Sequence, residues 1–194
     1  DALDQKPSSE SGMESVYDEV RGHKAAIDRV RGVANRRPRP GFITVELIKQ
    51  LYELVTPNLK PKESGYRNIK DNNRLYHHEI ARFDKIAELM SKFCAALREE
   101  QIGLHPLAVA IAAHHDLMSI YPWSRNSGKM ARLVMNLLLL SHGYPPAIIP
   151  GNERQRYYDS LRRENSHLAD LITESVVSYC AAANRHLDEL ALRR

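Results

Sequence analysis

Met118-Ser119-Ile120-Tyr121-Pro122-Trp123-Ser124-Arg125-Asn126-Ser127-Gly128-Lys129-Met130-Ala131-Arg132-Leu133-Val134-Met135-Asn136-Leu137-Leu138 joins two strongly apolar helical patterns through a short polar loop. The loop ends in Ser127-Gly128-Lys129 and runs directly into the second helix. A Gly-led helix start leaves backbone N–H groups free and adds the positive end of the helix dipole, a ready anion site. Lys129 and Arg132 lie three apart, share a helix face and can both lean toward that end. A phosphate site is the first functional expectation. It is not a Walker A loop, because no glycine stands five residues before Gly128.

Working outward, the helix before the loop (106–119) is dominated by Leu, Val, Ala and Ile, and the one after it spans 128–142. Helices apolar nearly all round belong at the centre of a fold. Pro106 suits a first helical turn and Gly143 a C′ position. Upstream, Ser11 with Glu14 forms a capping box. It leads into a helix whose apolar stripe reads Val16, Val20, Ile27, Val30 and Val33. Pro38 and Pro40 make residues 36–41 extended, a linker. Thr44 caps a second helix that turns Leu47, Leu51, Leu54 and Val55 inward and ends before Pro57. Residues 57–78 lack a helical period and read as loop or a short hairpin turning at Asp71–Asn73. A helix over 79–100 buries Ile80, Phe83, Ile86, Met90, Phe93 and Leu97. Two more follow, over 152–164 and 167–192, the last carrying Leu168, Leu171, Ile172, Val176, Tyr179, Cys180 and Leu187 inward. The expected class is all-α with at most one hairpin. The expected organisation is a disordered tail (1–10), an N-terminal helical extension (11–60) and a core (61–194).

At 194 residues with 43% hydrophobic content, the chain can bury one good core. Its net charge of +4 suits anionic ligands but does not demand nucleic acid, which is not an expected partner. Cys94 and Cys180 read as buried small apolar residues without a disulfide framework. That points to a reducing compartment, the cytoplasm, or a host cytosol if the chain belongs to an effector. The longest apolar run is too short to cross a bilayer, so no membrane partner is expected.

The central stretch resembles the Fic-domain family, whose motif reads His-Pro-Phe-x-(Asp/Glu)-Gly-Asn-Gly-(Arg/Lys)-x-x-Arg, followed by a Leu-rich helix and Gly-Tyr-Pro-Pro. The corresponding run here is Tyr121 to Arg132, then Leu133 to Leu140 and Gly143-Tyr144-Pro145-Pro146. His105-Pro106, His114-His115 and Gly65-Tyr66-Arg67, at the place of the family's target-binding flap, extend the similarity over roughly residues 65–180. The resemblance implies a Fic-type helical bundle. It also implies a flap that pairs with an extended segment of a protein target by strand addition.

The departures fall on the chemistry. Fic enzymes use the motif His as the base that deprotonates a target hydroxyl; Tyr121 stands there. Arg125 stands where the family's acid holds the nucleotide's magnesium, so no metal site is expected. Asn126-Ser127 replace the Gly-Asn pair. Pro122, the aromatic Trp123, Gly128, Lys129 and Arg132 remain. The resemblance thus marks Tyr121 as an inactive catalytic position and Arg125, Asn126, Ser127, Gly128, Lys129 and Arg132 as the phosphate or nucleotide site. Gly65, Tyr66 and Arg67 become the flap, with ATP or another nucleotide as the candidate ligand.

Nine histidines invite a metal reading. His114 and His115 are adjacent on a helix and point about 100° apart, and His77-His78 has no evident third partner, so structural or surface roles are favoured. Ser160-Leu161-Arg162-Arg163-Glu164-Asn165 resembles the Ser/Thr-x-x-x-Glu-(Asn/Gly) helix by which some Fic proteins block their own ATP site. It falls in ordinary core helix, and no self-inhibiting glutamate is expected. Two functions remain open. The first is a degenerate Fic domain binding phosphate, nucleotide or protein without transfer. The alternative is an active transferase moving AMP or another phosphate-containing group onto a protein hydroxyl by altered chemistry.

Overall fold

A computed structural model describes residues 11–36, 40–59, 65–68, 78–99, 103–162 and 166–192. They form seven α-helices and no strand: α1 (Ser11–Ala34), α2 (Val45–Val55), α3 (Ile86–Glu99), α4 (Pro106–Ile120), α5 (Ser127–Ser141), α6 (Arg154–Arg162) and α7 (Ser166–Leu192). The all-α expectation holds. The tail 1–10, residues 37–39 of the 36–41 linker and the Asp71–Asn73 turn lie outside the described residues. No helix among those described is long and apolar enough to cross a membrane.

α4 and α5 share the most extensive contact and form the central layer. Their side chains are buried nearly all round, including Leu117, Met118, Met130, Met135, Leu137 and Leu138. Each such Leu or Met contributes about 1.5–3 kcal/mol relative to exposure. α1 packs on α5 and α2, α3 on α4, α6 on α7, and α7 on α4. The ends of the central pair have local causes. His105 caps α4, its Nδ1 accepting from the Leu107 N–H at 3.3 Å, and Pro106 fills the first turn. α5 ends at a left-handed Gly143 (φ +80), with the Gly143 N–H on the Leu140 carbonyl and the Tyr144 N–H on that of Leu139. Asn136 then pins the returning chain to α5, its side chain donating to the Ala147 carbonyl and accepting from the Ala147 N–H.

Three readings of apolar faces need correction. In α1 the buried residues are Ala26, Val30 and Ala34, while Val16, Val20 and Ile27 are exposed. A Cβ on Gly22 would stand 2.2 Å from the Leu54 carbonyl oxygen, so α1 approaches α2 through its small residues and turns its large ones outward. The third helix starts at Ile86 behind a single 3₁₀ turn, and Phe83 is exposed. Before it, the chain is drawn to the end of α4, where the Ala81 N–H donates to the Ser119 carbonyl. In α7 every residue from 177 to 192 is exposed, Tyr179, Cys180 and Leu187 among them, because the helix runs on past the elements it packs against. Cys94 is half-buried, and burial first, then Glu46, pushes its thiol up to about 11, so it stays protonated.

Candidate functional site

The loop between α4 and α5 is shaped by two left-handed residues, Tyr121 (φ 47) and Asn126 (φ 63). Neither is glycine, and a tyrosine there is uncommon and strained. Buried Arg67 over-determines it. Its Nε donates to the Tyr121 carbonyl at 2.7 Å and its Nη2 to the carbonyls of Ala81 and Ile120, while its own N–H donates to the Pro122 carbonyl at 2.9 Å. The Ile120 and Tyr121 oxygens lie at the C-terminal end of α4, where a cation is favoured. Ser127 closes the turn, its Oγ donating to the Trp123 carbonyl at 2.6 Å and accepting from the Trp123 N–H at 2.9 Å. Asn126 ties the loop to α2, donating to the Val55 carbonyl and Thr56 Oγ1. Trp123 stacks on Tyr52 of α2 with ring centroids 4.1 Å apart, and Tyr66 leans on it at 5.8 Å.

This scaffold opens a cavity of about 200 Å³ at the start of α5, lined by Tyr121, Asn126, Ser127, Gly128, Lys129 and Arg132 together with Met118, Tyr157 and Tyr158. The first helical bond is Met130 N–H to the Asn126 carbonyl, so the N–H groups of Ser127, Gly128 and Lys129 precede the helical ladder. The side chains of Asn126 and Ser127 are spent inside the loop; toward a ligand they offer backbone. Arg125 lines a neighbouring cavity of about 240 Å³ instead, with Tyr52, Tyr66, Arg67 and Trp123. Gly65, Tyr66 and Arg67 thus lie against the motif loop, Arg67 as its internal clamp.

Sequence reasoning missed four residues that face this cavity or its cations. Tyr157 and Tyr158 come from α6 and line it. Burial raises Tyr157 to about 12 against the pull of Arg132, so its phenol stays protonated. His23 of α1 is held neutral-leaning, its pKa lowered by burial and then by Lys129 and Arg132. The fourth is Glu19 of α1, whose Oε2 lies 3.5 Å from Lys129 Nζ and whose Oε1 lies 3.8 Å from Arg125 Nη2. A carboxylate therefore sits across the cations. Ser15-x-x-x-Glu19 carried the signal, but Val20 follows where the pattern asks for Asn or Gly. The stretch that did match is structural at its described end: Ser160 is buried and its Oγ donates to the Tyr157 carbonyl.

A sequence model of the Fic/DOC family matches residues 42–139, just over half of the chain. The chain belongs to the Fic/DOC family. It is 37% identical over 127 residues to the Protein adenylyltransferase Fic of Drosophila erecta, a match covering 63% of this chain and 25% of that protein. The chain thus spans about a quarter of the length of the curated relatives it matches. Among solved Fic structures, Fic-1 from C. elegans superposes with a TM-score of 0.72 at 22% identity, covering 94% of this chain and 55% of that one. IbpAFic2 covalently tethered to Cdc42 superposes at 0.63 and 18% identity, covering 80% and 53%. These two likenesses speak for the Fic fold.

By the Fic motif, Arg125 corresponds to the acid that holds the nucleotide's magnesium, and a guanidinium does not ligate a cation. Among the described residues no group of three His, Cys, Asp or Glu side chains could hold a metal ion by itself. Glu19, the carboxylate at this Fic site, is engaged with cations. A phosphate oxyanion fits: helix N–H groups, Lys129 and Arg132 converge on one cavity.

Proposed function

We propose that this Fic domain binds a phosphate-bearing ligand at the start of α5, with ATP or another nucleotide as the expected class, and does not transfer it. The observation that carries the reading is an intact cationic cavity beside a buried tyrosine where the family's base belongs. A neutral His accepts a proton near neutral pH, whereas a phenol ordinarily titrates near about 10 and is a poor general base. Arg125 cannot ligate a metal, so a second requirement of transfer fails independently.

Glu19 makes the site self-covered. An incoming phosphate must displace it from Lys129, or add a second anion beside it. Both ion pairs are long and partly exposed, so the cover is weak, each pair contributing about 0–1 kcal/mol. Ligand binding is therefore expected to be conditional on α1 rather than forbidden by it. A protein partner docks, in this reading, along Gly65-Tyr66-Arg67 and the residues after it. That rests on the family's flap and on the tethered IbpAFic2–Cdc42 relative.

A second reading, transfer of AMP or a related group by other chemistry, is favoured by the name adenylyltransferase on the curated relatives. One experiment separates the two. The chain is incubated with labelled ATP, UTP or GTP and a cell extract, and nucleotide binding is followed by calorimetry. The first reading expects binding that is lost in Lys129→Ala/Arg132→Ala and no label on any protein. Robust labelling that disappears in Tyr121→Phe would establish the second.

A further inference from the structure

The second cavity at the motif loop, of about 240 Å³, takes no part in the phosphate site. Aromatic surface enters it from Tyr52, Tyr66 and Trp123, the only tryptophan of the chain. These rings already meet partners: Trp123 is stacked on Tyr52, Tyr66 leans on Trp123, and Lys49 Nζ stands 5.3 Å over the Tyr66 ring. An incoming aromatic ring would find few open faces. Two arginines line the cavity and no acidic residue does; Glu46 of α2 acts on Tyr66 from outside the lining. The two arginines differ. Arg67 is buried, its guanidinium committed to the Tyr121 and Ile120 carbonyls. Arg125 is 64% exposed, and its ion-pair partner Glu19 stands 3.8 Å from Nη2, beyond hydrogen-bond reach.

What this cavity lacks is an anion, and its donors say which kind. At the first cavity, helix N–H groups and two cations converge, which suits phosphate. No helix start lines the second. The carbonyl end of α2, at Thr56, does line it and weighs against a multiply charged group. One exposed guanidinium remains, and its planar fork matches a single carboxylate through two parallel hydrogen bonds. The methylenes that carry a side-chain carboxylate suit the ring edges beside it. Gly65-Tyr66-Arg67 and Asn68 complete the lining. The Arg67 N–H on the Pro122 carbonyl fastens that stretch to the motif loop, which puts the cavity directly beside it.

We propose that this cavity is a docking pocket for an acidic side chain, Asp or Glu, carried on an extended protein segment that lies along Gly65-Tyr66-Arg67, with Arg125 holding the carboxylate. The inference rests on the reading that a protein partner docks along that stretch, and it names the chemistry the partner must bring there. It also gives a use to the reversed charge at position 125, where the Fic motif carries an acid. Glu19 holds the same guanidinium loosely from α1, so docking of the partner's acid and release of Glu19 go together.

The test uses the full chain and the blocked peptides Ac-Thr-Val-X-Val-Thr-NH2, with X as Glu, Gln or Lys, whose β-branched residues favour an extended backbone. Emission from Trp123 reads the cavity, since the chain has no other tryptophan, and amide NMR shifts of residues 65–68 read the docking stretch. The Glu peptide should change both and bind about fivefold more tightly than the Gln peptide at low salt, a preference that shrinks as salt is added. The Lys peptide should bind weakest. Arg125→Glu, a change at an exposed side chain, should invert the order and make the Lys peptide the tightest. Equal affinities for the three, or an order unchanged in Arg125→Glu, while residues 65–68 still shift, would overturn this inference and leave the docking stretch standing. If no peptide binds at millimolar concentration and residues 65–68 do not shift, the docking reading falls and the pocket with it. Saturating pyrophosphate should not displace the Glu peptide; displacement would put the carboxylate in the phosphate cavity and overturn the assignment.

Discussion

Glu19 of α1 lies against Lys129 and Arg125 at the mouth of the cavity, and His114 lies behind it, buried in the core. Replacing Glu19 by Gln leaves the helix face and its packing in place and removes one negative charge from the cavity mouth. Affinity for ATP should rise up to about fivefold at low salt, the scale of an exposed ion pair, and the gain should shrink as salt screens it. Calorimetry at two ionic strengths reads this out, and an unchanged Kd at low salt would leave the ion pairs without a role. His114 sets a pH dependence of stability. In the folded chain it stays neutral down to about 3, whereas in the unfolded chain it takes up a proton below its ordinary value of 6.5. The unfolded state therefore binds more protons across that window, and stability falls as the pH is lowered through it. The slope approaches one proton, about 1.4 kcal/mol per pH unit. His23, with its pKa also lowered, contributes in the same direction. Urea unfolding between pH 7 and 4 should be markedly flatter in His114→Gln.

The small face of α1 decides how closely it lies on its neighbours. Any side chain at Gly22 meets backbone, the Leu54 carbonyl, which cannot rotate away. Gly22→Ala should therefore cost roughly 1–3 kcal/mol by overpacking, despite alanine's better helix propensity. Thermal denaturation checks it, and an unchanged or higher Tm would show that α1 can shift at no cost. The same helix shows what periodicity conveys and what it omits. A stripe of valines and an isoleucine predicted the helix correctly, but the buried face follows Ala26, Val30 and Ala34, and only Val30 is shared. Size signals burial only where the partner stands far enough off to need filling. At a close helix–helix approach the small residues go inward. α7 is the complementary case, since its apolar period continues to Leu187 and Leu190 beyond the last element able to cover them. The helices of the centre were legible because α4 and α5 are apolar nearly all round, and little choice of face had to be made.

At the scale of the whole molecule, the motif loop and its cations could be read from one contiguous run, whereas the residues facing them could not. Glu19 reaches Lys129 across 110 residues of sequence, and Tyr157 reaches His114 across 43. No local period encodes such meetings; they exist because α1 packs on α5, and α7, carrying α6, packs on α4. The resulting assembly bears on catalysis as a unit. Restoring the motif by Tyr121→His supplies a base, and loss of a general base commonly costs 10²- to 10⁴-fold, so that is the most a single change can return. Arg125→Asp does more than offer a metal ligand. It replaces the attraction to Glu19 with a like charge on a side chain of shorter reach, which loosens the cover. Asn126 and Ser127 still spend their side chains on Val55, Thr56 and Trp123, so the loop keeps its present shape. AMP transfer should therefore be absent in the natural sequence and in Tyr121→His alone. It should appear weakly in Tyr121→His/Arg125→Asp with magnesium, and increase when Glu19→Gln is added. Labelled ATP with the chain and a cell extract reads the series in order. Transfer by the natural sequence, or by Tyr121→His without Arg125→Asp, would mean that this cavity supports the chemistry with its own residues, and the binding-only reading would be lost.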